Sequence, residues 1–171
     1  MLTTDGSGNE GYVCSTCKCV AADNLATLSG QVVSFGDENG DVTLQLIAVG
    51  QTEADYEVVV KGNSATYSIE GVAEGTYILR VMKANHVTRE YTVVIDNATV
   101  VQDVKIQLIG DINGDGNVNA TDKKKIYAHI NDSSKTLTGY EFLAADVNGD
   151  GSVNATDKKK VFAHVNGNPL W

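Results

Sequence analysis

DINGDGNVNATDKKKIYAHIN, residues 111–131, returns as DVNGDGSVNATDKKKVFAHVN, residues 146–166. Five positions differ, Ile112/Val147, Asn117/Ser152, Ile126/Val161, Tyr127/Phe162 and Ile130/Val165, and each change is chemically mild. Both copies open D-x-N-x-D-G-x5-D, the spacing of a calcium loop with Asp in place of the usual Glu at its last position. Positions 1, 3, 5, 9 and 12 are Asp111, Asn113, Asp115, Asn119 and Asp122 in the first copy. In the second they are Asp146, Asn148, Asp150, Asn154 and Asp157. The main-chain carbonyl of position 7, Asn117 or Ser152, adds another oxygen. Calcium takes about 6–8 oxygen ligands at roughly 2.4 Å, and this spacing wraps the chain around such an ion. Two copies with every oxygen position matched predict two bound Ca2+.

Gly116 and Gly151 fall at position 6, where the backbone turns sharply. Val118 and Val153, at position 8, are expected to point inward and join the two loops. Each loop then runs into a helix. Asn119 or Asn154 caps it, with the Asp122 or Asp157 carboxylate three residues on, as in a capping box. On the helices Ile126 and Ile130, or Val161 and Val165, stand four apart and form one buried stripe. Leu137, Tyr140, Phe142 and Leu143 are expected on or beside a short connecting helix that closes the core. The matched His129 and His164 read as packing residues.

The composition changes near Gly110. Residues 1–109 are rich in Val, Thr, Ile and Tyr and carry six Lys/Arg against 14 Asp/Glu, whereas the remainder carries seven Lys against eight acids. The overall formal charge of -9 argues against nucleic acid as a partner, since phosphate neutralisation needs a basic face. No apolar run is long enough to span a membrane, so membrane insertion is not expected.

Residues 1–26 show neither helical nor strand periodicity and read as a linker or tail. The start, MLTTDGSGNEGYV, lacks a charged-then-apolar leader and reads as a cut end, with an export signal expected elsewhere in a larger parent. Cys14, Cys17 and Cys19 are one ligand short of a structural zinc site. A tail cluster or tail disulfide, a disulfide into the next module, and a metal site all remain open for them.

Strands are predicted at 28–35, 41–49, 56–62, 65–71, 75–83, 87–95 and 100–109, separated by turn chemistry such as GDENG and KGNS. That pattern predicts an antiparallel sandwich over residues 27–109. Within it, YSIEGVAEGTYILRV resembles the carboxypeptidase-regulatory-like family, which implies an Ig-like or prealbumin-like sandwich with a structural role. Tyr56, Tyr67, Tyr77 and Tyr91 read as strand packing residues rather than a sugar platform. Only Gly110 separates the last predicted strand from Asp111, so the two modules are expected to form one rigid body rather than swing on a tether.

Each calcium loop has one following helix and no full helix before it. A duplicated loop-helix unit of this spacing at a C-terminus resembles a dockerin module, over residues 110–168, with the sandwich as an adjoining X module. The fold class expected is therefore multidomain, an all-β sandwich followed by a small all-α dockerin at 110–171. The resemblance implies a non-catalytic module that binds a cohesin on a scaffoldin or cell-surface anchor outside the cell, in assemblies serving polysaccharide degradation. It also implies contact residues at loop positions 10 and 11 and helix positions 17 and 18: Ala120, Thr121, Tyr127 and Ala128, mirrored by Ala155, Thr156, Phe162 and Ala163.

Helical spacing independently groups residues 121, 124, 125 and 128, with 120 and 127 alongside, away from Ile126 and Ile130. The KKK runs, 123–125 and 158–160, read by default as solvated helix faces; the other reading, in which they steer an acidic partner surface once calcium is bound, adds Lys124 and Lys159 to the contact set. Duplication of the contact residues implies pseudo-two-fold symmetry and a dual binding mode. A glycan-binding sandwich is the second class considered. An enzyme is least expected, because no nucleophile, base and orienter set appears.

Overall fold

Alternating apolar residues in DVTLQLIA and GTYILRVMK put one face of each strand into a common core. The computed structural model describes residues 2–4, 10–12, 25–96 and 98–170. Its first elements are a hairpin, β1 (Leu2–Thr4) and β2 (Glu10–Tyr12), paired antiparallel. The stretch expected as a plain linker thus contains two short strands, and β3 (Leu25–Val33) begins inside it. The three cysteines lie outside the described residues.

The sandwich continues with β4 (Asp41–Ala48), β5 (Tyr56–Lys61), β6 (Ser64–Ala73), β7 (Gly75–Lys83), β8 (Arg89–Ile95), β9 (Val100–Val101) and β10 (Val104–Lys105). One sheet has the order β5-β4-β7-β8, and the other places β3 between β6 and the pair β9 and β10. Between them lie fully buried Leu28, Val32, Val42, Leu44, Leu46, Leu79, Val81, Ile95 and Ile106. Each side chain of this size stabilises the fold by about 1.5–3 kcal/mol when buried. Tyr67 and Tyr77 point into the same core, and Tyr56 meets Tyr77 edge-on at 6.3 Å.

Two expectations need correction. The strand predicted at 100–109 is broken into β9 and β10, and both pair parallel with β3 rather than antiparallel. The break falls at Gln102 and Asp103. The Gln102 carbonyl passes so close to Gly30 that a Cβ there would lie 2.1 Å from its oxygen, and Asp103 turns its carboxylate to the Gln31 N–H at 2.8 Å. Tyr67 locks the crossing by donating its hydroxyl to the Gln102 carbonyl at 2.6 Å. A parallel strand cannot follow β8 through a tight hairpin, which is why alternation alone gave the wrong partner sense.

Three helices complete the chain: α1 (Ala120–Asn131), α2 (Gly139–Ala145) and α3 (Ala155–Val165). Ile112, Ile126, Leu137, Ala145 and Val161 form a second core, joined by Val118, Val153, Ile130, Val165, Phe142 and Phe162. Leu143 and Tyr140 lie on the connecting helix α2 as expected, but outside this core. Leu143 is 48% exposed, and Tyr140 turns away from this core to the sandwich, where its ring lies 4.2 Å from the Arg89 guanidinium carbon and its hydroxyl accepts from the Glu90 N–H. Gly110 bridges the two cores, its N–H donating to the Ala144 carbonyl at 2.7 Å.

His86, on the turn after β7, is 8% exposed and its ring has one consistent tautomer. Nε2 accepts from the Phe35 N–H at 3.2 Å, so Nδ1 carries the proton and donates to the Ala84 carbonyl at 2.8 Å. Burial lowers its pKa, reinforced by the charge of Lys83 against the Ala84 bond. With the folded pKa below the unfolded value of about 6.5, this residue's contribution is complete above that pH and is lost as pH falls below it. The urea midpoint of sheet unfolding is therefore expected to fall between pH 7.5 and 6.0, and His86→Gln should flatten that difference; an unchanged slope in the variant would contradict the assignment.

Candidate metal loops and partner-binding face

In each loop the first and last aspartates tie the chain back on itself. Asp111 accepts from the N–H groups of Gly114, Asp115 and Gly116 at 2.8, 3.1 and 2.9 Å. Asp122 accepts from Asn113 and Asn119 at 3.0 and 2.9 Å. The second copy repeats the scheme: Asp146 holds Asp150 and Gly151, and Asp157 holds Val147, Asn148 and Asn154. Between them Asn113 donates to Asp115, and Asn148 to Asp150, both at 2.7 Å. The N–H of Asn117 or Ser152 then donates to that same Asp115 or Asp150 at 2.9 Å. Gly116 and Gly151 have φ of 94° and 83°, the left-handed region that the sharp turn at position 6 needs.

The capping boxes form as the sequence implies. Asn119 and Asn154 accept from the N–H of Thr121 and Thr156 at 2.8 and 2.7 Å, and the N3 carboxylates return the bond. A box of this kind is worth about 0.5–2 kcal/mol to a helix. Without it, helices this short are marginal.

The electrostatics ask for a cation. Asp111, Asp122 and Asp157 are fully buried, and none of them forms an ion pair with a basic side chain among the described residues. Burial, together with the neighbouring charge of Asp122, raises the Asp111 pKa even though three backbone N–H groups oppose the shift. Asp115 is held below the usual carboxylate range by the Asn113 side chain and the Asn117 N–H. Among the described residues no three His, Cys, Asp or Glu side chains are gathered into a metal cluster. The donor set does not depend on those types alone, since Asn113, Asn119, Asn148, Asn154 and the carbonyls of Asn117 and Ser152 belong to it. All-oxygen donors, buried carboxylates with backbone N–H donors but no basic side chain beside them among the described residues, and a left-handed glycine at position 6 fit a hard divalent cation.

On the opposite side of the helices the two copies meet. Lys123 on α1 places Nζ 4.4 Å from the centroid of Phe162 on α3, and Lys158 on α3 places Nζ 5.6 Å from Tyr127 on α1. These pairs exchange under the repeat, as a pseudo-two-fold relation requires. A groove of about 420 Å³ runs along this face, lined by Ala120, Lys123, Lys124, Tyr127 and Phe162. Tyr127 is 53% exposed, whereas Phe162 is half-buried and also packs on the helical core. Thr121, Ala155, Thr156 and Lys159 are exposed outside the groove lining, and Ala128 and Ala163 are half-buried.

Lys123 belongs to the groove although the sequence set it among the solvated lysines; its place over Phe162 depends on packing between helices that no local pattern reveals. Lys125 pairs instead with Glu141 of α2. The two histidines also part company. His129 accepts from the Leu137 N–H through Nδ1 and meets Phe142 edge-on, while the same atom of His164 faces the Asn168 carbonyl.

Residues 109–166 match the dockerin type I domain family, whose members generally bind calcium. A comparison with curated proteins gives no match. Two solved structures from Acetivibrio cellulolyticus, an N-terminal and a C-terminal interface mutant of a type II cohesin-X-dockerin complex, are similar at 23% identity and a TM-score of 0.39. Each covers 81% of this chain and 94% of the other. The Bacillus anthracis TIE protein is similar at 16% identity and a TM-score of 0.34, covering 48% of this chain and 16% of that one. At these scores the structural likeness carries no argument about function. The sequence match therefore carries the resemblance: residues 109–166, the segment that holds both loops and all three helices, are similar to a dockerin type I domain.

Proposed function

We propose that this chain is a non-catalytic assembly module whose dockerin, folded around two Ca2+, docks onto a cohesin of a scaffoldin or cell-surface anchor. The single observation that carries the reading is the duplicated, hydrogen-bond-matched pair of all-oxygen loops within the segment that matches the dockerin type I family. One ion would be held by Asp111, Asn113, Asp115, Asn117, Asn119 and Asp122. The other would be held by Asp146, Asn148, Asp150, Ser152, Asn154 and Asp157. Calcium neutralises the buried carboxylates and stabilises the folded state only, adding about 4 kcal/mol per site at roughly 1,000 times its dissociation constant.

The cohesin would settle on the aromatic and lysine face, with Tyr127 and Phe162 as anchors, Lys124 and Lys159 meeting acidic groups, and Ala120, Thr121, Ala128, Ala155, Thr156 and Ala163 allowing close approach. The exchange of Lys123 over Phe162 for Lys158 over Tyr127 supports two docking orientations about 180° apart. The sandwich at 27–109 acts as an X module that stiffens this arrangement, through Tyr140 and the Gly110 junction. We place the chain outside the cell, held at the surface through the cohesin, in assemblies that degrade polysaccharide. Among the described residues no helix is long and apolar enough to cross a membrane.

Excess chelator is expected to abolish the helical circular dichroism signal and binding to a panel of type I and type II cohesins together, with the sheet signal retained; full helicity without calcium would sink the mechanism. Tyr127→Ala or Phe162→Ala alone is expected to weaken cohesin binding by less than about 1 kcal/mol, and the double variant by more than about 2 kcal/mol. Loss of binding in either single variant, measured by calorimetry, would mean that one copy is the site and the other is scaffold.

A further inference from the structure

The two loops match each other internally but differ in their surroundings. Against the first stands the sandwich. A Cβ on Gly116 would lie 2.5 Å from Cδ1 and Cε1 of Phe35, and one on Gly114 would lie 2.4 Å from Nε2 of Gln107. Lys105 donates to the Gly114 carbonyl at 2.8 Å and stacks 5.3 Å from the Phe35 ring centroid. Around the equivalent Gly149 and Gly151 of the second loop a Cβ would meet nothing within 4 Å.

Phe35 is itself fixed at both ends of its backbone. Its N–H donates to His86, and its carbonyl accepts from Lys83 Nζ at 3.3 Å. That ammonium is also held by Ser34 Oγ, the Asp37 carbonyl and Asn63 Oδ1 at 3.1, 2.7 and 2.9 Å. The wall behind the first loop is therefore anchored in the sandwich.

We infer that Phe35, Lys105 and Gln107 are positioning residues for the cation of the first loop, so that this loop binds calcium more tightly than its near-identical copy. The inference rests on the calcium reading above. A loop already held in its bound shape loses less freedom when the ion enters, and outer-shell partners of this kind commonly change metal affinity. The positive charge of Lys105 opposes a cation, but this side chain is exposed and its charge is screened by solvent. Ordering therefore outweighs repulsion. As calcium falls, the second loop empties first and α3 loosens before α1.

The test is calorimetric titration of Ca2+ alone into the full chain, with Asp115→Ala and Asp150→Ala assigning each affinity to a loop. Two affinities are expected, the tighter one lost in Asp115→Ala. Phe35→Ala is expected to weaken that site by about tenfold and leave the other unchanged. Gln107→Ala provides a milder variant with the same direction should Phe35→Ala disturb the sheet signal. Equal affinities in the wild type, a tighter site lost in Asp150→Ala, or variants that weaken both loops alike would overturn the inference while leaving calcium binding intact. No heat of binding at millimolar calcium would overturn the calcium reading itself, and the inference with it.

Discussion

Asp122 and Asp157 each close a ring of chain around one carboxylate. A fully buried oxygen pair holds backbone N–H groups on both sides of the loop, and the same side chain completes the N-terminal cap of the helix beyond it. Losing either would strand several amide donors at once, each at a cost of about 1–3 kcal/mol when buried. The helices depend on this closure because they are short, and their apolar contribution is one stripe each: Ile126 with Ile130, and Val161 with Val165. The stripes bury against one another and against Ile112, Leu137, Phe142 and Ala145. A carboxylate buried without a cation is costly, so the element that starts each helix also makes the fold responsive to a divalent ion.

The sandwich enters this arrangement from one side. Its own core is larger and independent of the loops, built from Leu28, Leu44, Leu79 and their neighbours. From it, Phe35, Lys105 and Gln107 reach the first loop, and Arg89 and Glu90 meet Tyr140 on α2. The second loop and the groove on α1 and α3 are left to solvent. One side of the pseudo-symmetric module is thus supported while the face proposed for the partner remains open, an arrangement suited to carrying a docked protein at a fixed angle.

Loops, caps and helical stripes were legible in the sequence because each is decided by residues within about a dozen positions of one another, where oxygen spacing and helical periodicity act directly. The sandwich strands were legible for the same local reason, but the sense of the final pairing was not: Gln102 and Asp103 interrupt the last strand to bond Ser29, Gln31 and Tyr67, far away in sequence. Tyr140 lies on the connecting helix as its local sequence implies, but its contact with Arg89 was not legible because the two residues are far apart in sequence. Phe35 read as the end of the strand predicted at 28–35, whereas β3 stops at Val33 and Phe35 reaches the first loop from just beyond it, a contact that no local pattern marks. His129 and His164 sit in identical local sequence and still bond differently, because the downstream chain brings the Leu137 N–H to one ring and the Asn168 carbonyl to the other.

The most direct measurement is a crystal structure of the chain grown with calcium, with anomalous scattering used to locate ions. One ion is expected in each loop, ligated by carboxylate and amide oxygens of positions 1, 3, 5, 9 and 12 and by the main-chain carbonyl of Asn117 or Ser152. Loops without an ion at millimolar calcium, with the carboxylates still bonded only to backbone amides, would contradict it.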